Sequence, residues 1–353
     1  MHMVARRSRS ICLVFLAAAL GVVTTPLICA GPIESQATVS SDVVSHKGIV
    51  VSDSQIVGTN NAILATRVAD FKTLGVKWVR LAFTWQDIQP NSANDFLTSQ
   101  YDAVVKALEV ADINVLGLIC YSTSWANGHQ SQFVPPTSPA TYGNYASKLA
   151  SHFGPMGVHT WEIWNEPNVG NFWSPAPDPA AYTALIKAAY FAIHQVDSGA
   201  TVITAGLSQP SNSPTTIDAR EYLGDIYHDG GKPYFDAVGD HPYGRENWAK
   251  MFSTSPSFLS IMVTNGDGNK KIWVTETGTP TGTASGAVTE RQQAAEVIQS
   301  YANAVAYPWI GPIFWYDYMD DCDNAADPEC NFGLKKETGS KKPSYAAYQA
   351  APN

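Results

Sequence analysis

The sequence predicts a closed (β/α)8 barrel of the α/β class. Eight short β-rich runs recur roughly every 30 to 45 residues with helical stretches between them, the cadence of repeated βα units. Several of these runs are apolar at consecutive positions, as strands covered on both faces are. No Gly-rich phosphate fingerprint follows the first run, which weakens the open, doubly wound, dinucleotide-binding alternative.

Strands are expected at residues 48–51, 77–83, 114–121, 160–165, 202–207, 235–239, 271–275 and 312–316. The intervening helices carry start and stop signals. Gly75 follows an apolar-periodic stretch over 62–74, where a helix stop belongs. Asp178-Pro179 sets a capping side chain before a proline suited to the first turn, and Ser255-Pro256 repeats the device. Thr289 with Gln292 fits a capping box ahead of a helix over 294–305.

Residues 1–30 are set apart. Arg6, Arg7 and Arg9 precede an apolar run over 11–23, and residues 26–30 offer a cleavage region ending at Ala30. That is the layout of a secretory signal peptide; the alternative is an uncleaved N-terminal anchor. Cys29 lacks the small residues before it that a lipoprotein site wants. Residues 31–44 read as a polar, flexible lead-in, and 45–353 as one catalytic domain. The expected location is therefore secreted or cell envelope, with no stable membrane insertion after cleavage and a monomer as the default.

The full chain has 22 Lys+Arg against 31 Asp+Glu; removing the three leader arginines leaves 19 against 31, a formal charge of −12. Such a chain repels phosphate backbones and anionic membranes, so nucleic acid is not the expected partner and a neutral substrate fits better. Cys120 lies in an apolar run and reads as a buried thiol. Cys322 and Cys330 sit eight positions apart in a loop rich in Asp and Asn. In an oxidising compartment they form a loop-closing disulfide; unrelated thiols, or a metal site with Asp320, Asp321 and Asp323, are the alternatives. No metal-ligand spacing is present.

Active residues of a barrel project from the C-terminal ends of its strands. The fourth expected strand runs into Trp164-Asn165-Glu166-Pro167 and the seventh into Thr275-Glu276-Thr277-Gly278, two carboxylates 110 positions apart. A charge at the edge of an apolar strand is costly unless paired or used. Glycosidic cleavage needs two carboxyl groups on one cavity, one protonated to assist the leaving oxygen and one ionised to attack the anomeric carbon. Two structural carboxylates bound to Arg are the plain alternative.

Trp164-Asn165-Glu166-Pro167 with Thr275-Glu276 resembles glycoside hydrolase clan A, family 39 and its bacterial exopolysaccharide-hydrolase relatives first and family 5 next. The likeness covers nearly all of residues 45–353. It implies a TIM-barrel, retaining β-glycoside hydrolase acting through a covalent glycosyl-enzyme intermediate. Glu166 would be the acid/base and Glu276 the nucleophile, about 5–5.5 Å apart. Asn165 would bond the substrate 2-hydroxyl. His241-Pro242-Tyr243 resembles the clan's His-x-Tyr element, with Tyr243 donating to Glu276. Arg80 resembles the basic residue that keeps the nucleophile ionised, or else closes an ion pair with Glu162. Trp315 matches the aromatic floor under the sugar. His241 as a core histidine, and Trp315 and Trp164 as barrel filling, are the competing readings. The clan often has a His near the end of strand three; here the segment is Tyr121-Ser122-Thr123-Ser124-Trp125, and His129 comes later.

Ten Trp and sixteen Tyr are many for this length. Trp85, Trp125, Trp173 and Trp248 fall in expected loops past strand ends, where aromatic faces could form sugar subsites. Gln86, Asn127, His129, Asn168 and Asn171 are available to bond hydroxyls. No metal or organic cofactor is expected, since two carboxyl groups and water suffice. The competing functions are a carbohydrate-binding barrel without turnover and a transglycosylase using the same intermediate.

Overall fold

A computed structural model describes residues 45–353, and the side chains of 245 and 246 are not described. The signal-peptide and lead-in readings of residues 1–44 lie outside the described residues. Eight parallel strands close on themselves in chain order: β1 (Lys47–Val50), β2 (Trp78–Thr84), β3 (Asn114–Cys120), β4 (Thr160–Ile163), β5 (Thr201–Thr204), β6 (Ala237–Asp240), β7 (Lys271–Thr277) and β8 (Ile310–Trp315). β8 pairs back to β1 through Gly48 opposite Phe314. Every expected strand is present, with ends displaced by at most three residues.

Alternation along the strands sorts their side chains. Val50, Leu116, Ile203, Ala237, Trp273 and Phe314 pack together as one small cluster, while neighbours such as Ile49, Val79, Ile163 and Val274 join the larger core under the helices. Gly117 leaves room in the larger core and Gly311 in the small cluster; a Cβ on either would lie under 3 Å from the indole of Trp161 or Trp273 respectively.

The helix signals were read well with one exception. The helix Asn61–Leu74 ends at Gly75 with φ +74°, the left-handed cap that glycine adopts without cost. Asp178 accepts from the Ala181 N–H to start Pro179–Val196, and the Thr289/Gln292 box opens Glu290–Ala306. Ser255-Pro256 does not cap a helix. Ser257 does, accepting from the Ser260 N–H in a box of its own at the start of Phe258–Thr264.

Many of the tyrosines have structural work. Tyr142, Tyr145 and Tyr182 are buried on helices and donate to the carbonyls of Ile119, Phe83 and Ile163, near the ends of β3, β2 and β4. Tyr301 and Tyr348 both reach Gly48 O on β1. Each satisfies a backbone group near the edge of the ladder, which matters in a dry interior.

Candidate active site

The strand ends converge on one cavity of about 790 Å³, with Glu166, Asn165, Tyr243, Glu276 and Tyr316 in its wall. The charged floor is built inside the barrel. Arg80 on β2 and Glu162 on β4 are both buried, and Arg80 Nε donates to Glu162 Oε2 at 2.6 Å. The same guanidinium donates from Nη2 to Asn165 Oδ1 at 2.9 Å and from Nη1 to Glu276 Oε1. Arg80 therefore contacts both acids at once, closing an ion pair with Glu162 and donating to Glu276.

Glu276 is aimed by three groups. Besides Arg80, Tyr243 OH donates to Oε2 at 2.6 Å and His241 Nδ1 stands 3.6 Å from the same oxygen. The register between β7 and β8 shifts between Val274 and Thr277, the stretch that carries Glu276, the kind of irregularity that re-aims a side chain at a barrel rim. Burial alone would raise its pKa. The charges of His241 and Arg80, with the hydrogen bonds from Tyr243 and Arg80, outweigh burial and hold Glu276 below the ordinary carboxylate value.

Glu166 is presented by strained backbone. Trp164 and Glu166 have φ of +70° and +47°, and Tyr121 at the end of β3 has +55°. Left-handed conformations of such residues cost about 1–3 kcal/mol each and gather at functional sites. Two backbone bonds fix them here: Trp164 N–H to Ile119 O and Glu166 N–H to Gly206 O, both 3.2 Å.

His241, fully buried at the end of β6, joins the two carboxylates. Nδ1 lies 2.8 Å from Glu166 Oε1 and Nε2 lies 3.0 Å from Thr275 Oγ1. Thr275 passes its own hydroxyl proton to Glu162 Oε1 at 2.9 Å, so Nε2 must be the donor on its side. Burial works against a charged imidazole, but Glu276 and then Glu166 outweigh it and raise the His241 pKa. The chain Glu162–Thr275–His241–Glu166 thus runs from the barrel floor to the cavity wall.

A carboxylate oxygen from each of Glu166 and Glu276 and a nitrogen of His241 lie within 4.8 Å of one another. Three ligands of one cation would show the same spacing. Here Nδ1 is engaged by Glu166, and Glu276 by Arg80 and Tyr243, so the cluster is already satisfied as an ion-paired network.

The aromatic expectations need correcting. Trp315 is buried and lies on the outward-facing set of β8, lining a separate cavity with Trp248 and Phe252. Strand side chains alternate, so the next residue faces the other way: Tyr316 lines the catalytic cavity. Trp85 is fully buried and stacks on Tyr145. Trp173 packs on Trp164, and Trp125 spends its indole N–H on Gln89 O. None of these three is in the cavity wall; each roots a loop in the core. Asn127 and Asn168 likewise bind loop carbonyls, and Gln86 accepts from Thr123 and Ser124.

Other wall residues went unread. Tyr121 stands where the clan's strand-three His was sought; its hydroxyl accepts from Asn165 Nδ2 at 3.3 Å, and its ring lies parallel to Phe172. Gly206 shapes the site by absence, because a Cβ there would lie 2.0 Å from His241 Nε2. Cys322 and Cys330 are disulfide-bonded, and their loop brings Glu329 to the cavity.

A family model described as Cellulase (glycosyl hydrolase family 5) matches residues 42–316. The chain is 27% identical over 246 residues to a beta-xylosidase of Caldicellulosiruptor saccharolyticus, covering 63% of this chain and 48% of that protein. It thus spans about half the length of that curated relative. In fold it is similar to a family 39 glycoside hydrolase from Bacteroides cellulosilyticus, with TM-score 0.66 and 24% identity over 86% of this chain and 62% of the other. It is also similar to a monomeric beta-xylosidase from Caulobacter crescentus, with TM-score 0.64 and 17% identity over 87% and 68%.

Proposed function

The chain belongs to the cellulase family, glycosyl hydrolase family 5, and from that premise we propose that it is a retaining β-glycoside hydrolase working by double displacement. The observation that carries this reading is the pair Glu166 and Glu276 brought together on one cavity in unlike settings. Glu276 faces Arg80, Tyr243 and His241, which keep it ionised as a nucleophile requires. Glu166 is held by His241 through Oε1 alone, which leaves Oε2 to carry the proton toward a leaving oxygen.

In the first step Glu276 attacks the anomeric carbon while Glu166 protonates the departing oxygen; in the second, Glu166 takes a proton from water as water displaces Glu276. The close approach of the two carboxylates supports retention, because inversion needs a gap of about 6.5–9.5 Å for a water molecule. Asn165, with Oδ1 fixed by Arg80, offers Nδ2 to a substrate hydroxyl. The relatives' names make β-xylosides the first substrate to try. The leader-like pattern of residues 1–30 and the disulfide both support an exported protein; an intact Met1 on protein recovered outside the cytoplasm would speak against cleavage.

The test is a panel of xylan, β-glucans, mannans, galactans and bacterial envelope polysaccharides, with released sugars read by mass spectrometry beside Glu276→Gln. Product from wild type and none from the variant is expected. Equal product from both would remove Glu276 from the mechanism, and binding without product would favour a carbohydrate-binding barrel.

A further inference from the structure

The catalytic cavity carries more carboxylate than its chemistry uses. Glu296 and Glu329 join Glu166 and Glu276 in its wall, and among the described residues that wall holds no Lys, Arg or His. Arg80 and His241 lie beneath it, already committed to Glu162, Glu276 and Glu166. Glu296 accepts from Thr279 Oγ1, which ties it to the loop after β7. Among the described residues Glu329 has a single side-chain partner, Tyr316 OH at 3.4 Å.

Glu329 is placed by built structure. Its own N–H is bound by Asp327 Oδ1 at 3.1 Å, and the next residue is the buried, disulfide-bonded Cys330. Asn331 then braces the loop internally, donating to Asn324 O and Asp327 O at 2.8 and 2.7 Å, while its carbonyl accepts from Lys342 Nζ. The wall beside Glu329 consists of Tyr316, Phe332 and Tyr243, whose rings meet edge to face with centroids 5.2–6.2 Å apart. Tyr243 is the residue that holds Glu276, so this is the nucleophile's side of the cavity, where the sugar to be bonded to Glu276 sits.

Resting on the hydrolase reading, we propose that Glu329 is a specificity-determining residue that admits neutral glycones and excludes those carrying a carboxylate, such as uronic acids. A carboxylated sugar would bring one more negative charge to a wall that already holds four acidic side chains and, among the described residues, offers it no base. Discrimination of this kind comes from building repulsion against the wrong ligand rather than attraction to the right one. Burial first, and then the charge of Glu276, hold the Glu329 carboxyl above its ordinary pKa, and the second of these is the repulsion a sugar carboxylate would also meet.

The experiment compares p-nitrophenyl β-glucoside with p-nitrophenyl β-glucuronide, sugars of one stereochemistry that differ only in the C6 carboxylate. Wild type, Glu329→Gln and Glu329→Lys are compared at low and high salt, with thermal unfolding confirming that each variant folds. The glucoside should exceed the glucuronide in kcat/KM by about tenfold or more, since like charges brought together cost several-fold to hundreds-fold in affinity. That gap should narrow in Glu329→Gln and narrow further in Glu329→Lys. It should also shrink at high salt, as a charge effect does and a steric one does not. A gap identical in all three proteins, or insensitive to salt, overturns the proposal. Should no variant turn over either glycoside, the hydrolase reading is judged on the polysaccharide panel. Calorimetric Kd values for the same pair then decide the charge claim alone, an unchanged ratio across the variants refuting it.

Discussion

Gly206→Ala should disable the site without touching an acidic residue. A Cβ built on Gly206 lies 2.0 Å from His241 Nε2, 2.2 Å from its Cδ2 and 2.4 Å from Thr275 Oγ1. Restoring an ordinary contact of 3.4 Å to Nε2 requires a retreat of about 1.4 Å. Neither the 3.0 Å bond to Thr275 nor the 2.8 Å bond to Glu166 survives that. Hydrogen bonds to charged groups are worth about 1.5–3 kcal/mol each, so the loss is about 3 kcal/mol or more, roughly a hundredfold in kcat/KM. The assay is steady-state hydrolysis of the best substrate from the panel, with thermal unfolding alongside. Gly224→Ala is the control. It lies within the helix Ala219–His228 with nothing within 4 Å of an added Cβ, and alanine there should stabilise by up to about 1 kcal/mol. Full activity in Gly206→Ala would refute the role given to the His241 network.

Tyr243→Phe removes the 2.6 Å donor to Glu276 Oε2. The Glu276 pKa should rise toward its ordinary value, so the acid limb of the kcat/KM profile should move to higher pH with a loss of about ten- to a hundredfold; an unmoved acid limb contradicts this. Asp240 is buried and its pKa is pushed up to about 8 by burial, while Gln209 Nε2 donates to its Oδ1. The folded state therefore holds this proton more tightly than the unfolded chain, giving stability that is full below about pH 4 and lost as pH climbs to about 8. Asp240→Asn keeps the Gln209 bond and should flatten that slope in denaturant titrations; an unchanged slope counts against a protonated Asp240. Replacing both Cys322 and Cys330 with Ser should cost about 2–3 kcal/mol of stability through loop-closure entropy and raise KM. Unchanged KM would mean that the loop bearing Glu329 does not need the bridge.

The barrel and its two carboxylates were legible in the sequence because each rests on local pattern. Eight apolar runs give the strands, and Glu166 and Glu276 stand where such runs stop. His241 and Tyr243 were legible through their resemblance to the clan's His-x-Tyr element at the end of β6. Arg80 was legible only as two alternatives, because one guanidinium serves Glu162 and Glu276 at once. The aromatic residue that ends β8 in the cavity wall is one position beyond the expected Trp315. A strand end located to within a residue cannot say which face a side chain takes, and Trp315 and Tyr316 lie on opposite faces. Trp85, Trp125 and Trp173 sit in loops by sequence, yet loops longer than a turn need their own anchors, and large aromatics supply them. Gly206 and Glu329 were illegible for a different reason. The first acts through space it leaves empty, and the second is one side chain of the Cys322–Cys330 loop, where the loop's own folding decides which residue turns to the cavity.

The central claim, that Glu276 forms a covalent bond to the sugar, is tested most directly by trapping it. The protein would be incubated with a 2-deoxy-2-fluoro β-glycoside of the panel's best sugar bearing a dinitrophenyl leaving group, then digested and mapped by mass spectrometry. The account requires time-dependent inactivation with one sugar added, on the peptide carrying Glu276, and no labelling of Glu276→Gln. Label on any other residue, or steady turnover of the natural substrate with first-formed product of inverted configuration, would contradict it.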